Sequence, residues 1–197
     1  MNGYEKRTLE KRNRVLKAAF DLMNQEDGIE NLTMDEIAMY ANVGKTSIFK
    51  YFGSKENLIH EVFNYFLDMV GNSAREIMSE NKPFEETLIA ITQNKIHYLD
   101  KVNKQFYLAM MDFYTKEKGG DLSSIMQQYV KESNGAMLDL FHRGRKEGRV
   151  DLKYSDEFLL LYFQALVEGI SNPHIYTKIL PYTAQWTELL IKGIAPR

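Results

Sequence analysis

The stretch from Thr33 to Lys55, TMDEIAMYANVGKTSIFKYFGSK, constrains this chain more than any other part of it. Thr33-Met34-Asp35-Glu36 has the form of a capping box, in which a threonine hydroxyl accepts from the amide three residues on and the glutamate reaches back. Met34, Ile37, Ala38 and Ala41 then recur three and four apart, the buried stripe of a short amphipathic helix. Asn42 suits the left-handed backbone that a tight turn needs. A second short helix is predicted from near Gly44 to near Phe52, with Ile48 and Phe52 pointing inward and Gly53 stopping it. Its other face carries Lys45, Thr46, Phe49 and Lys50, and no acid stands between Asn42 and Lys55. This is the layout of a helix-turn-helix whose second helix is offered to a DNA groove. Pattern alone leaves one rival, an ordinary helical hairpin with a solvated basic face.

The same periodicity runs through the rest of the chain, while strand-like alternation is absent, so an all-α fold is expected. With 197 residues, 44% of them hydrophobic, a packed core is expected and disorder is not. A first helix is predicted from about Thr8 to Asn24, with Leu9, Leu16, Ala19, Phe20 and Met23 on one side and Arg7, Lys11 and Arg14 opposite. Ser54 caps a long fourth helix towards Ser79, striped by Ile59, Val62, Phe63, Phe66, Met69 and Val70. Its length suggests a bridge between two domains, residues 1–53 and 54–197. Pro83 opens a further helix, and another covers about Phe106 to Tyr114. Gly119-Gly120 breaks the chain before a helix from Asp121 to about Glu147. Tyr154 to Ser171 follows, stopped before Asn172-Pro173, and the last helix is expected over Thr183–Ile194.

A net charge of −2 and a pI near 6.1 argue, taken alone, against a nucleic-acid binder. Distribution matters more than the sum. Lys6, Arg7, Lys11, Arg12, Arg14 and Lys17 crowd the first helix, and Lys45, Lys50 and Lys55 mark a second patch. His142, Arg143, Arg145, Lys146 and Arg149 form a third run at a helix C-terminus, where cations offset the helix dipole. The absence of cysteine excludes disulfides, thiol catalysis and Cys-ligated zinc. No apolar run approaches the roughly 20 residues of a membrane span, and the polar N-terminus is unlike a signal peptide. A cytoplasmic location is expected. Gly44-Lys45-Thr46 resembles the end of a phosphate-binding loop, but Met39 stands where that motif needs glycine. His60, His97, His142 and His174 show no metal spacing, so no metal and no cofactor is expected. An enzyme using Glu168 with a histidine finds no support in residue spacing.

At Ile37-Ala38, Ala41-Asn42-Val43-Gly44-Lys45, Phe49-Lys50-Tyr51-Phe52 and Ser54-Lys55-Glu56-Asn57-Leu58, the sequence resembles the TetR family of bacterial transcriptional regulators. The resemblance covers roughly Leu9 to Val62. It implies an N-terminal three-helix DNA-binding domain, a C-terminal helical domain for ligand binding and dimerisation, and a homodimeric repressor released from double-stranded DNA by a ligand. It assigns DNA contacts to Thr33, Gly44, Lys45, Thr46, Ser47, Phe49, Lys50, Tyr51 and Lys55. Among these, Thr33 and Lys55 resemble phosphate contacts, and Lys45, Thr46 and Ser47 the groove-facing helix start. Two departures stand out. Gly44 replaces a usual serine or threonine, and Phe49 a usual tyrosine, so a hydroxyl is lost at each.

The middle of the chain is rich in aromatic residues and methionine, which adapts to irregular gaps. A large apolar pocket for a small apolar or amphipathic ligand is expected there, lined by Tyr98, Phe106, Met110, Phe113, Tyr114, Met137, Phe141 and Tyr162, with Glu168 as a carboxylate for a cationic ligand. For each aromatic residue and methionine, plain core packing is the alternative; for Glu168 it is simple exposure at the helix end. Leu159, Leu166, Gly169, Trp186, Leu189 and Leu190 on the last two helices are expected to form the dimer surface, with internal core as the alternative. The rival reading of the whole is a helical small-molecule binding protein whose DNA head is weak or vestigial.

Overall fold

A computed structural model describes residues 2–116, 124–171, 175 and 178–197. The secondary structure of the described residues is all helix, without strands. Gly119, Gly120, Asp121, Asn172, Pro173 and His174, singled out above as breaks, starts or ligands, lie outside them. The chain divides into two compact units, Met1–Val70 with Asp100–Ser123, and Gly71–Leu99 with Ser124–Arg197.

The first unit opens with α1 (Gly3–Met23), a single-turn α2 (Gly28–Asn31), α3 (Met34–Ala41) and α4 (Lys45–Phe52). α1 begins five residues before the expected Thr8, because Asn2 caps it. The Asn2 carboxamide oxygen accepts from the Tyr4 and Glu5 amides at 3.0 and 2.9 Å, and the Glu5 carboxylate accepts from the Asn2 amide. That added turn leaves Leu9 45% exposed, so the buried stripe starts at Val15 rather than Leu9. Gly28 is buried at the next corner, where a Cβ would stand 2.1 Å from the Leu22 carbonyl oxygen.

α5 (Lys55–Ser79) begins in this unit and ends in the other. The expected boundary after Gly53 therefore falls inside unit one, between α4 and α5. Leu58, Val62, Phe63, Phe66 and Leu67 bury the first part of α5. α7 (Lys104–Lys116) joins the same unit after α6 (Phe84–Asp100). Phe106 fills its centre, fully buried, with ring centroids 5.4, 5.3 and 5.7 Å from Phe20, Phe63 and Phe66. Such a fully buried ring contributes on the order of 2–3 kcal/mol. Asn103 ties α7 to the corner after α1: its amide donates to Asn24 Oδ1 and its Nδ2 to the Gln25 carbonyl, while its Oδ1 accepts from the Phe106 amide.

The second unit is built on α6, α8 (Ser124–Lys146), α9 (Asp156–Ser171) and, after a 3₁₀ turn at Leu180–Tyr182, α10 (Thr183–Ile194). Phe84, Leu88, Met137, Leu140, Phe141, Val150, Leu159, Leu190 and Ile194 form its core. Gly144 lets α8 approach closely, since a Cβ there would lie 2.6 Å from Val150 and 2.7 Å from Phe84. The basic run at the end of α8 is committed to this unit. Arg143 donates to the Lys82 carbonyl at 2.8 Å, Arg145 pairs with Asp156 and donates to the Tyr154 carbonyl, and His142 meets Asp156 at 2.8 Å. No described helix is long and apolar enough to cross a membrane.

Candidate nucleic-acid interface

α3 and α4 carry the interface. Thr33 caps α3 as a full box: its hydroxyl oxygen accepts from the Glu36 amide at 3.2 Å, and the Glu36 carboxylate accepts from the Thr33 amide. Asn42 turns the chain in the left-handed region at φ 50°, ψ 50°. Gly44 then opens α4 with no side-chain cap, and Gly53 ends it at φ 78°. The hydroxyl missing at Gly44 leaves α4 to be held from behind. Ile48 is fully buried and Phe52 is 5% exposed, four residues apart on the inner face.

The outer face is open. Gly44, Lys45, Thr46, Phe49 and Lys50 are exposed, and Ser47, Tyr51 and Lys55 are half-buried beside them. Phe49 is 43% exposed, an apolar ring at the surface with no hydroxyl to offer. Lys55 begins α5, where the Ser54 hydroxyl accepts from the Asn57 amide at 3.1 Å. Glu56 is held below the usual carboxylate range by its own backbone amide and then by the Ser54 hydroxyl.

Two features here are not visible in the linear sequence. The Thr33 hydroxyl donates to the Glu36 carboxylate at 2.7 Å, so the group that the resemblance offers to a phosphate already has an acceptor. Lys45 Nζ lies 2.8 Å from Asp35 Oδ2, joining the first turns of α3 and α4. The ten-residue spacing of that pair has no meaning until the turn at Asn42 folds it together. The basic groups of α1 separate into two kinds. Arg12 pairs with Glu61 at 2.9 Å and lies 5.1 Å over the Phe52 ring, and Lys17 pairs with Asp21 at 2.6 Å. Arg7, Lys11 and Arg14 are exposed.

The family model of bacterial regulatory proteins, tetR family, matches residues 15–62, from the middle of α1 into α5. Over these residues the chain is similar to the TetR family. The HTH-type transcriptional regulator YhgD of Bacillus subtilis (strain 168) is 35% identical over 81 residues, 41% of this chain and 42% of that protein. YuxN of the same organism, also an HTH-type transcriptional regulator, is 23% identical over 203 residues, 95% of this chain and 65% of that protein. The chain thus spans less than two thirds of the length of either relative. The solved structure of the fatty acid degradation regulator FadR from Bacillus halodurans has the same fold, with a TM-score of 0.66 at 16% identity, covering 92% of this chain and 98% of that one.

The nine residues expected around a ligand divide between the two units. Phe106, Met110, Phe113 and Tyr114 lie in the first, and Tyr98, Met137, Phe141, Tyr162 and Glu168 in the second. Phe106, Met110 and Tyr114 are interior residues; the Tyr114 hydroxyl donates to Asn64 Oδ1 at 2.7 Å, and burial followed by the Asp68 charge pushes its pKa up. Phe113 is half-buried and stacks on His60 at 4.0 Å. Met137 and Phe141 belong to the core of the second unit. Tyr98 is half-buried, as is Tyr162, which stacks on Phe158 at 6.2 Å. Glu168 is exposed and accepts from Gln164 at 2.8 Å, one turn back on α9.

The expected dimer residues divide as well. Leu159 is fully buried and Leu190 is 6% exposed, so both pack the protomer's own core rather than a surface. Leu166 leans on that core, and Gly169 and Trp186 are half-buried. Leu189 is 68% exposed. Phe158, Leu161 and Tyr182 are exposed large hydrophobics that sequence periodicity did not single out, because a core-facing and a partner-facing stripe look alike in it. A further group escaped notice. Burial holds the Lys95 ammonium on α6 down to a pKa of about 8.

Proposed function

We propose that the protein is a homodimeric transcriptional regulator that binds double-stranded DNA in the cytoplasm through α4. It acts as a repressor, released from a pseudo-palindromic operator by a small apolar or amphipathic ligand. The observation that carries this reading is the two-sidedness of α4. Ile48 and Phe52 anchor one side, and Lys45, Thr46, Phe49 and Lys50 are exposed on the other. A helix so braced offers its N-terminal residues to base edges in the major groove. Lys50 and Lys55 supply charge for phosphates, so affinity falls steeply as salt rises. A dimer then sets two such helices about one or more DNA turns apart.

The dimer surface proposed here is the exposed apolar stripe of the last two helices. Phe158 and Leu161 on α9 and Leu189 on α10 are 49%, 60% and 68% exposed, with Tyr182 at the head of α10. The ligand class is supported by the half-buried aromatics Tyr98, Phe113 and Tyr162 and by a structural neighbour named for fatty acid degradation. Release requires about 5 kcal/mol of preference for the DNA-incompetent state.

A mobility-shift assay with Lys55→Ala and Thr46→Ala tests the reading. Lys55→Ala is expected to weaken every duplex alike, and Thr46→Ala to alter preference among duplexes. Unchanged binding by both variants would overturn it. The second reading, a ligand-binding protein with a weak DNA head, is favoured by one observation: the Thr33 hydroxyl is bonded to Glu36, and Phe49 has none. Failure of the wild-type protein to shift any duplex at low salt would select it.

A further inference from the structure

The Lys45–Asp35 pair sits at the edge of the interface described above, and its geometry matches a particular base pair. Lys45 Nζ and Asp35 Oδ2 are 2.8 Å apart, and their side chains are 47% and 76% exposed. The two groups thus stand side by side at the surface, one donor and one acceptor. The ammonium has three protons and uses one on Asp35; the carboxylate has lone pairs to spare. In the major groove, a G·C pair presents the N7 and O6 acceptors of guanine and then the N4 amine of cytosine. O6 and N4 are themselves hydrogen-bonded partners, so they lie about 2.9 Å apart. The spacing of the protein pair equals the spacing of the base-edge atoms it would meet.

We propose that Lys45 and Asp35 together read one G·C pair in each half-site, Lys45 donating its two remaining protons to guanine O6 and N7 while Asp35 accepts from cytosine N4. This rests on the DNA-binding reading of α4 and assigns it a specificity residue on the neighbouring helix. With adenine in guanine's place the pair is refused, since its N6 amine faces the ammonium and thymine O4 faces the carboxylate. With thymine there, O4 and N6 still match, but the C5 methyl replaces guanine N7 and one Lys45 bond is lost. The pair is neutral as a unit. Its contribution is therefore to sequence choice, and the salt dependence of binding comes from other cations.

Selection from a pool of random-sequence duplexes with the full-length wild-type protein and with Asp35→Asn tests this. Affinities are then measured for the selected duplex and its single-base-pair variants, adding Lys45→Ala and the double variant. The wild type is expected to enrich a G·C pair at one symmetric position. Asp35→Asn is expected to lose about tenfold of the discrimination at that position alone. In the Lys45→Ala background the Asp35 change is expected to add little. If Asp35→Asn raises affinity for every duplex by one factor, the carboxylate only restrains Lys45 and the proposal is overturned. Unchanged preference at every position overturns it equally. If the wild type enriches no sequence, the DNA-binding reading itself falls, a result separable because it appears before any variant is made.

Discussion

At the scale of single residues, Ile48 and Phe52 hold α4 from within, while Glu36 and Asp35 occupy Thr33 and Lys45 beside it. Ile48 and Phe52 announced themselves by four-residue spacing, and Asn42 by its tolerance of positive φ. Both features depend on local geometry, which sequence encodes. The Glu36 contact to the Thr33 hydroxyl and the Asp35 contact to Lys45 depend on rotamers and on a fold across the turn, which spacing does not encode. Ile48→Ala is expected to destabilise the protein by about 2–5 kcal/mol, since it empties a fully buried site; urea unfolding measures it. Lys95 supports a pH prediction. Its folded pKa of about 8 lies below its ordinary 10.5, so the unfolded chain binds more protons between those values. Stability from this group is thus present above pH 10.5 and is lost as pH falls through about 8. Lys95→Met is expected to be more stable than wild type at pH 7, by about 1–2 kcal/mol. That gap should close on titration towards pH 10.5 when both proteins are unfolded in parallel. A constant gap would show that the ammonium is not the cause.

At the scale of elements, helix type and order were readable and helix partners were less so. The final helix matches its expected span, Thr183–Ile194, and the cap at Thr33 opens α3 as expected. α1 starts earlier than expected because Asn2, a good cap, precedes it. α7 shows the limit most clearly. Apolar periodicity says that Phe106, Met110 and Tyr114 are covered, but not whether protein or a ligand covers them. Ring-to-ring contacts with Phe20, Phe63 and Phe66 show that Phe106 packs against its own unit. Phe106→Ala is accordingly expected to cost about 3–5 kcal/mol of stability. A pocket wall would instead tolerate the change and lose ligand affinity. Denaturant unfolding beside a ligand thermal-shift screen separates these outcomes.

At the scale of the whole molecule, the chain divides into two compact units, the first of which extends beyond the helix-turn-helix. The break expected after Gly53 lies within a unit that includes the start of α5 and α7, because the stripe from Leu58 to Leu67 is buried there. Dimerisation is proposed through side chains left uncovered on α9 and α10. Leu161→Arg with Leu189→Arg is expected to give a folded monomer by light scattering, with retained helical circular dichroism and much weaker binding to a two-half-site duplex. A folded dimer would move the interface elsewhere.

The claim on which all of this depends is that α4 lies in the major groove, twice per operator. The chain has no cysteine, so Lys50→Cys creates a single attachment point for a DNA-cleaving iron chelate. On a duplex selected by the protein, the account predicts two symmetric clusters of cuts with the strand offset of major-groove attack, about one or more helical turns apart. Cleavage no stronger than from a chelate at exposed Leu152→Cys, or a single asymmetric cluster, would contradict it.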